Sequence, residues 1–382
     1  MKKNWKRTLA IVAAIVLAIS CFSGCSQNEQ VIKVGSIGPL TGASSNGGTD
    51  ELRGKQMAID EYNEAGGYKG IKIKLFSEDD ASEPSQSATA VTKLITQDQV
   101  VAILGAHNSS CTLADMEVVA KYGVPMITPG STAVAVTASN NKWITRACPM
   151  DTLQAGALIS YIDEHANYSK IGVIYVNDDV GISGNKAITE AANAIGITVQ
   201  SESFGVDDTD MTAQVSSLKA GGVEALFLWC QYTPGAMIMK QARNMDWDVP
   251  FYSYTGTIHQ DTFELSDGAY VGTINSVPFI PTSDDPQIID FVKRYNDRYG
   301  RDPSQNSARA YDATWILLKA IDQAGYDNAE KLQEAIRNTV EYDGLQGNIT
   351  IDPDNGEYKG EVMIVRAVEG GSWEFLASAS SK

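Results

Sequence analysis

Strand-like and helix-like stretches alternate twice along this chain, and that rhythm restricts the fold more than any other feature. Val31 to Ile37 reads as a strand, Thr49 to Asn63 as a helix stopped by Gly66-Gly67, and Ile71 to Phe76 as a strand. Ser85 to Gln97 reads as a helix after Pro84, Val100 to Leu104 as a strand, Cys111 to Tyr122 as a helix and Val124 to Ile127 as a strand. A second series follows Asp151, with helices at Leu153 to His165, Asn185 to Ala194, Met211 to Lys219 and Pro234 to Met245. Its strands are Lys170 to Val176, Ile197 to Phe204, Val223 to Trp229 and the short Phe251 to Tyr254. Two runs of such units predict an α/β protein with two parallel sheets and covering helices. The end departs from the pattern. Asp285 to Tyr299, Ser307 to Ala324 and Glu330 to Thr339 read as helices, and Gly347 to Ile351, Glu361 to Ala367 and Ser372 to Phe375 as strands.

Two loops stand out within the first series. Leu104-Gly105-Ala106-His107-Asn108-Ser109-Ser110-Cys111-Thr112 follows one predicted strand, and Met126-Ile127-Thr128-Pro129-Gly130-Ser131-Thr132 lies 20 residues further on. Ligands of open α/β sheets bind beyond the carboxyl ends of the strands. Backbone N–H groups at a helix start, with Ser and Thr hydroxyls beside them, suit a small carboxylate. Helix capping alone explains one such loop; two in succession point to a shared anion site.

The first 24 residues read as an export signal. Lys2, Lys3, Lys6 and Arg7 precede an apolar run of 11 residues, Leu9 to Ile19, which is short for a membrane span. Phe22-Ser23-Gly24-Cys25 then resembles a lipobox, with Phe22 where Leu is usual and Cys21 as a weaker alternative. Cys25 is therefore the expected lipidation site, with 25–30 as a tether. Cleavage before Cys25 leaves 26 basic against 47 acidic residues, a net charge of −21. Such a surface argues against nucleic acid as a partner. Cys111, Cys148 and Cys230 allow at most one disulfide. His107, His165 and His259 show no metal-like spacing, so neither metal nor cofactor is expected. No Walker A, HExxH or GxSxG motif occurs, and the carboxylate pairs Asp79-Asp80 and Asp207-Asp208 read as exposed turns. An enzyme is not expected.

Several segments in order carry a family resemblance: VIKVGSIGPLTG, DEYNEAGG, LFSEDDASEP, VAILGAHNSSCT, MITPGST, ITRACPMD, KIGVIYVNDD and QARNMDWDVP. From Val31 to the C-terminus the chain resembles the type I periplasmic binding proteins of ABC importers, in the leucine/isoleucine/valine-binding family. The resemblance implies two Rossmann-like lobes joined by three crossovers, with ligand in the cleft between them. It places lobe one at 31–150 plus 278–352 and lobe two at 151–277 plus 353–382. It implies an exported, lipid-anchored, monomeric receptor that captures a branched-chain or other small amino acid by its carboxylate and delivers it to membrane permease subunits.

The family's carboxylate-binding Ser and Thr fall on Ser109 and Thr132, with Ser110, Gly130 and Ser131 beside them. Asp151 matches a family Asp at the start of lobe two; facing a ligand ammonium and capping the next helix are both open to it. Tyr232 matches a ligand-contacting Tyr. The departures lie on the opposite wall. The family's ammonium-binding Glu has no counterpart, and Thr255 sits nearest its place. Two aromatic wall positions align with Gly47 and Val180. A desolvated ammonium needs a partner, so Asp151, Asp178 or Asp179 would have to replace that Glu. The alternative ligand is a small carboxylate or amide without a free amine, and a protein presenting its ligand to a separate sensor is a further alternative.

Overall fold

The computed structural model describes residues 30–42 and 44–380. The expected signal peptide, Cys25 and most of the tether lie outside them. A five-stranded sheet is built from β1 (Val31–Gly38), β2 (Lys72–Asp79), β3 (Ala102–Leu104), β4 (Met126–Thr128) and β5 (Ile144–Arg146). Its order is β2-β1-β3-β4-β5, with parallel registers from β1 to β5. Helices α1 (Ser45–Glu64), α2 (Pro84–Lys93), α3 (Ser109–Tyr122) and α4 (Ala135–Ala138) lie between these strands. Successive side chains of a strand face opposite ways. Leu104 accordingly joins Val34, Ile59 and Ile127 in one core, while Ile103 joins Ile37, Met126 and Ile144 in another.

The second series runs α5 (Asp151–His165), β6 (Lys170–Val176), α6 (Asp179–Ala194), β7 (Thr198–Phe204), α7 (Thr212–Ala220), β8 (Ala225–Trp229), α8 (Tyr232–Asn244), β9 (Phe251–Ser253), α9 (Gln260–Leu265) and β10 (Ile274–Val277). After it come α10 (Pro286–Tyr299), α11 (Gln305–Ala324), α12 (Ala329–Arg337), β11 (Tyr342–Gly344), β12 (Gly347–Ile351), β13 (Tyr358–Lys359), β14 (Glu361–Val368) and β15 (Ser372–Ser380). A seven-stranded sheet of order β15-β14-β10-β9-β8-β6-β7 results. β10, β9, β8, β6 and β7 are parallel, and the two last strands add as an antiparallel edge. Its interior strand β8 is buried along its whole length, as expected of a parallel sheet covered on both faces.

The last helices return to the first sheet. Leu317 and Ile321 of α11 and Leu332 of α12 pack with Val34 and Leu104. α11 also lies against α1, so closely that a Cβ on Gly54 would stand 2.1 Å from the Ser307 carbonyl oxygen. β11, β12 and β13 form a small antiparallel sheet whose Ile349, Ile351 and Tyr358 enter the same core. Among the described residues, no helix is long and apolar enough to cross a membrane.

Several helices begin earlier than the sequence suggests: α3 at Ser109, α5 at Asp151, α6 at Asp179 and α8 at Tyr232. The expected starts were Cys111, Leu153, Asn185 and Pro234. Hydroxyl and acidic residues mark a cap in sequence, but the N-cap positions of α5 and α8 fall on Met150 and Gln231, while those of α3 and α6 fall on Asn108 and Asp178. The Asp79-Asp80 pair is not an exposed turn. Asp79 accepts the N–H groups of Leu40 and Ala81 at 2.8 Å each, and Asp80 is fully buried. Asp207 and Asp208 are exposed.

Candidate functional site

A cavity forms where strand ends of both sheets meet helix starts. On the first-sheet side it is lined by Gly47, by His107, Asn108 and Ser109, by Gly130 and Thr132, and by Gln305, Asn306 and Arg309 of α11. On the second-sheet side stand Val180, Gln231 and Tyr232, then Tyr254, Thr255, Gly256 and Ile258. The walls are drawn close, with about 20 Å³ open to the centre of a water-sized sphere.

Of the residues singled out in sequence, Ser109, Gly130, Thr132, Tyr232 and Thr255 meet at this cavity, as do Gly47 and Val180. The Ser109 hydroxyl accepts the Ala133 N–H at 3.2 Å, which leaves its own proton to donate. Thr132 is 2 % exposed; its hydroxyl makes no well-formed hydrogen bond within the protein, although it stands close enough to Asp151 to pull that carboxyl's pKa down. The Gly130 N–H, by contrast, turns to Thr128 Oγ1 at 3.3 Å. Ser110 and Ser131 do not line the cavity. Ser131 is a structural staple whose hydroxyl bonds Thr112 Oγ1 at 2.7 Å and so ties the second loop to α3. Beneath the loops, His107 Nδ1 meets Glu51 Oε1 at 2.7 Å, and Glu51 Oε2 lies 3.5 Å from Lys55 Nζ. Burial works to raise the Glu51 pKa, but His107 and Lys55 outweigh it and hold the carboxyl below its usual value.

Asp151 neither lines the cavity nor caps a helix. It occupies the first turn of α5, and its Oδ1 accepts the Trp229 indole N–H at 3.2 Å. Burial pushes its carboxyl up to about 6, against the opposing pull of Ser183, Thr132 and Arg146. Asp178 does cap, accepting the Gly181 N–H at 2.9 Å, and Asp179 is exposed. Thr255 is held by its backbone: Gln154 Oε1 accepts its N–H at 3.1 Å and Gln305 Nε2 donates to its carbonyl at 3.3 Å. Tyr232 stacks on His259 with ring centroids 4.5 Å apart, and His259 Nε2 lies 3.8 Å from Asp50. Burial would raise the Asp50 pKa, but His259, Ser304 and Arg301 bring it below its usual value.

Of the lining residues that the sequence did not single out, three carry buried polar atoms without a partner. Tyr254 stacks on Trp229 at 4.3 Å, and its buried hydroxyl has no partner. Its position directly after a strand is the signal that marks it. Gln305 and Arg309 come from α11, nearly 200 residues from the two loops, and also carry unpartnered buried atoms: Gln305 Oε1, Arg309 Nε and Arg309 Nη1. Gly47 is the complement of a ring, because a Cβ there would stand 2.9 Å from His107 Nε2. Cys111, Cys148 and Cys230 are buried free thiols.

Buried polar groups are normally paired within the protein. Unpartnered hydroxyl, amide and guanidinium groups around one cavity are instead suited to grip a polar solute. Comparison with known proteins agrees with a binding role. A family model described as periplasmic binding protein matches residues 31–372. A leucine-, isoleucine-, valine-, threonine- and alanine-binding protein of Pseudomonas aeruginosa is 29% identical over 363 residues, 94% of this chain and 95% of that protein. The Leu/Ile/Val-binding protein homolog 1 of Brucella suis is 26% identical over 337 residues, 88% of this chain and 89% of its own length. Among solved structures, the leucine-binding protein LivK of Thermotoga maritima is similar with a TM-score of 0.85 at 28% identity, covering 91% of this chain and 98% of that one. LivJ of Streptococcus pneumoniae, solved with isoleucine, gives 0.82 at 25% identity, covering 92% and 100%. These relatives are named as binding proteins rather than enzymes. With its two sheets, its returning helices and a cavity at the strand ends, the chain belongs to the periplasmic binding protein family, whose place is outside the cytoplasm.

Proposed function

We propose that this chain is the solute-binding protein of an ABC importer, anchored by lipid at Cys25, that captures a small amino acid or small carboxylate between two lobes and delivers it to membrane permease subunits. The reading takes the protein as a monomer. The expected lobes are 31–150 plus 278–352 and 151–277 plus 353–382; we move the last boundary past β13, which goes with lobe one because Tyr358 packs in its core. The observation that carries the proposal is the pair of donors at the ends of β3 and β4: the free Ser109 proton and the buried, unpartnered Thr132 hydroxyl. Two such donors offset the hydration that a carboxylate loses on entry. The relatives named for leucine, isoleucine and valine make a branched-chain amino acid the first ligand to try. With so little open space between the walls, a solute of that size enters only as the lobes part, and closure then buries it.

A second reading has its own support. Among the described residues that line the cavity there is no Asp or Glu, so a ligand ammonium would find no carboxylate there. A small carboxylate or amide without a free amine fits that wall. A thermal-shift screen of amino acids, amides and small carboxylates tests the proposal, because a bound ligand raises stability by RT ln(1 + [L]/Kd). A panel in which no small solute raises the melting temperature at millimolar concentration would sink it.

A further inference from the structure

Arg309 is the lining residue whose charge is least accounted for. It sits in the second turn of α11 and is 2 % exposed. Its Nη2 donates to Asn306 Oδ1 at 2.5 Å, while Nε and Nη1 are buried without a hydrogen-bond partner in the protein. An uncompensated buried guanidinium is strongly unfavourable. Glu51, which feels the Arg309 charge, is already engaged by His107 and Lys55. Asp151 is turned to Trp229 and stands outside the lining. The cavity therefore presents a cation with two unpartnered donor atoms, Nε with one N–H and Nη1 with two, together with the Ser109 and Thr132 hydroxyls. A carboxylate offers about four lone-pair sites, which these five hydrogens can fill.

Resting on the reading that this cavity is the ligand site, we infer that Arg309 is a ligand-binding residue and that the cavity selects a net-anionic solute, a small carboxylate without a compensating ammonium. An amino-acid zwitterion brings a positive charge into a lining that already holds one, and the carboxylate beneath that lining, Glu51, is engaged by His107 and Lys55. A 2-oxo acid of the same skeleton brings a carboxylate, and its keto oxygen accepts from neutral donors such as the Tyr254 hydroxyl.

Matched pairs test the inference: leucine with 4-methyl-2-oxopentanoate, alanine with pyruvate, and phenylalanine with phenylpyruvate. Each is titrated calorimetrically at pH 7.5 into wild type, Arg309→Met and Arg309→Lys. The expected result is that, for the best-bound skeleton, the oxo acid binds wild type at least tenfold more tightly than the amino acid. That gap collapses in Arg309→Met and persists in part in Arg309→Lys. Ligand-free Arg309→Met melts no lower than wild type, because it removes buried donors that have no hydrogen-bond partner within the protein. An amino acid that binds as tightly as its oxo acid, or an undiminished gap in Arg309→Met, would overturn the inference. So would a markedly lower melting temperature of that ligand-free variant. If the amino acid binds best and loses its affinity in a Ser109→Ala, Thr132→Ala double variant, this inference falls while the carboxylate site stands. If no probe of either charge binds wild type, both fall.

Discussion

Replacing Asp151 with Asn should stabilise the protein, and increasingly so as pH rises. Asp151 is fully buried at the start of α5, with the Trp229 indole donating to Oδ1 and the Ser183 and Thr132 hydroxyls close by. Burial pushes its pKa from 3.8 up to about 6. The folded state therefore holds this proton over a pH range in which the unfolded chain has released it. Where the folded state binds more protons, stability falls as pH rises. The protonated carboxyl's full contribution is present below pH about 4 and is lost as pH climbs through about 6. At 1.36 kcal/mol per pH unit, the cost of ionising the buried group is ~3 kcal/mol at pH 7.5 and ~1 kcal/mol at pH 4.5. Asparagine keeps an oxygen for the Trp229 N–H and never ionises. Urea denaturation of wild type and Asp151→Asn at both pH values should show the variant's advantage growing by ~2 kcal/mol. Any pH-independent effect of the substitution cancels in that comparison, as do other buried acids with raised pKa values, such as Asp80, Asp115 and Asp312, because both proteins carry them. Since Asp151 lies outside the cavity lining, ligand affinity should change less than about threefold, below ~0.7 kcal/mol. An advantage that is constant or shrinking between the two pH values would refute the assignment of a buried, ionisation-penalised carboxyl.

Three further outcomes are expected. Gly54→Ala should destabilise by about 1–3 kcal/mol in urea denaturation. The gain in helix propensity is ~1 kcal/mol, but the new methyl meets the Ser307 carbonyl of α11 at 2.1 Å, and backbone cannot step aside; a stabilised variant would contradict the close α1–α11 contact. Tyr254→Phe should weaken ligand binding by about 1 kcal/mol in calorimetry without lowering the melting temperature, because the hydroxyl it removes has no partner inside the protein. The thiols of Cys111, Cys148 and Cys230 should resist a thiol reagent at pH 8 in the folded chain and all three should react once it is unfolded. Burial pushes the Cys148 pKa up to about 11 and those of the other two further still, so a rapid native reaction would contradict their burial.

The fold was legible because its strands are long or strongly apolar. β6 and β12 match their expected limits to the residue. Strands that stayed hidden carry little local signal. Ile144–Arg146 ends in a charged residue whose guanidinium is buried against the Ser131 and Ala133 carbonyls, a partnership visible only in three dimensions. Ile274–Val277 alternates too weakly, with Asn275 and Ser276 buried in the sheet. The two loops were legible as a pair of hydroxyl-bearing turns after strands, and the structure brings Ser109 and Thr132 to one cavity. It gives Ser131 and Asp151 different work, since sequence cannot tell a hydroxyl that faces a cleft from one that staples two loops. Arg309 was unreadable for a related reason. Asp312, three residues on, suggests an ordinary pair along the helix, yet Asp312 instead accepts the N–H groups of Leu345 and Gln346. Only the tertiary fold reveals that the arginine is left facing the cavity.

The most direct test of the carboxylate site is calorimetry on the Ser109→Ala, Thr132→Ala double variant, using the best small solute from the screen. Charge-assisted hydrogen bonds contribute about 1.5–3 kcal/mol each, so affinity should fall by about 100-fold or more while the melting temperature of the ligand-free protein stays near that of wild type. Affinity that survives both substitutions unchanged would mean that the ligand's carboxylate is held elsewhere, and would contradict the account at its centre.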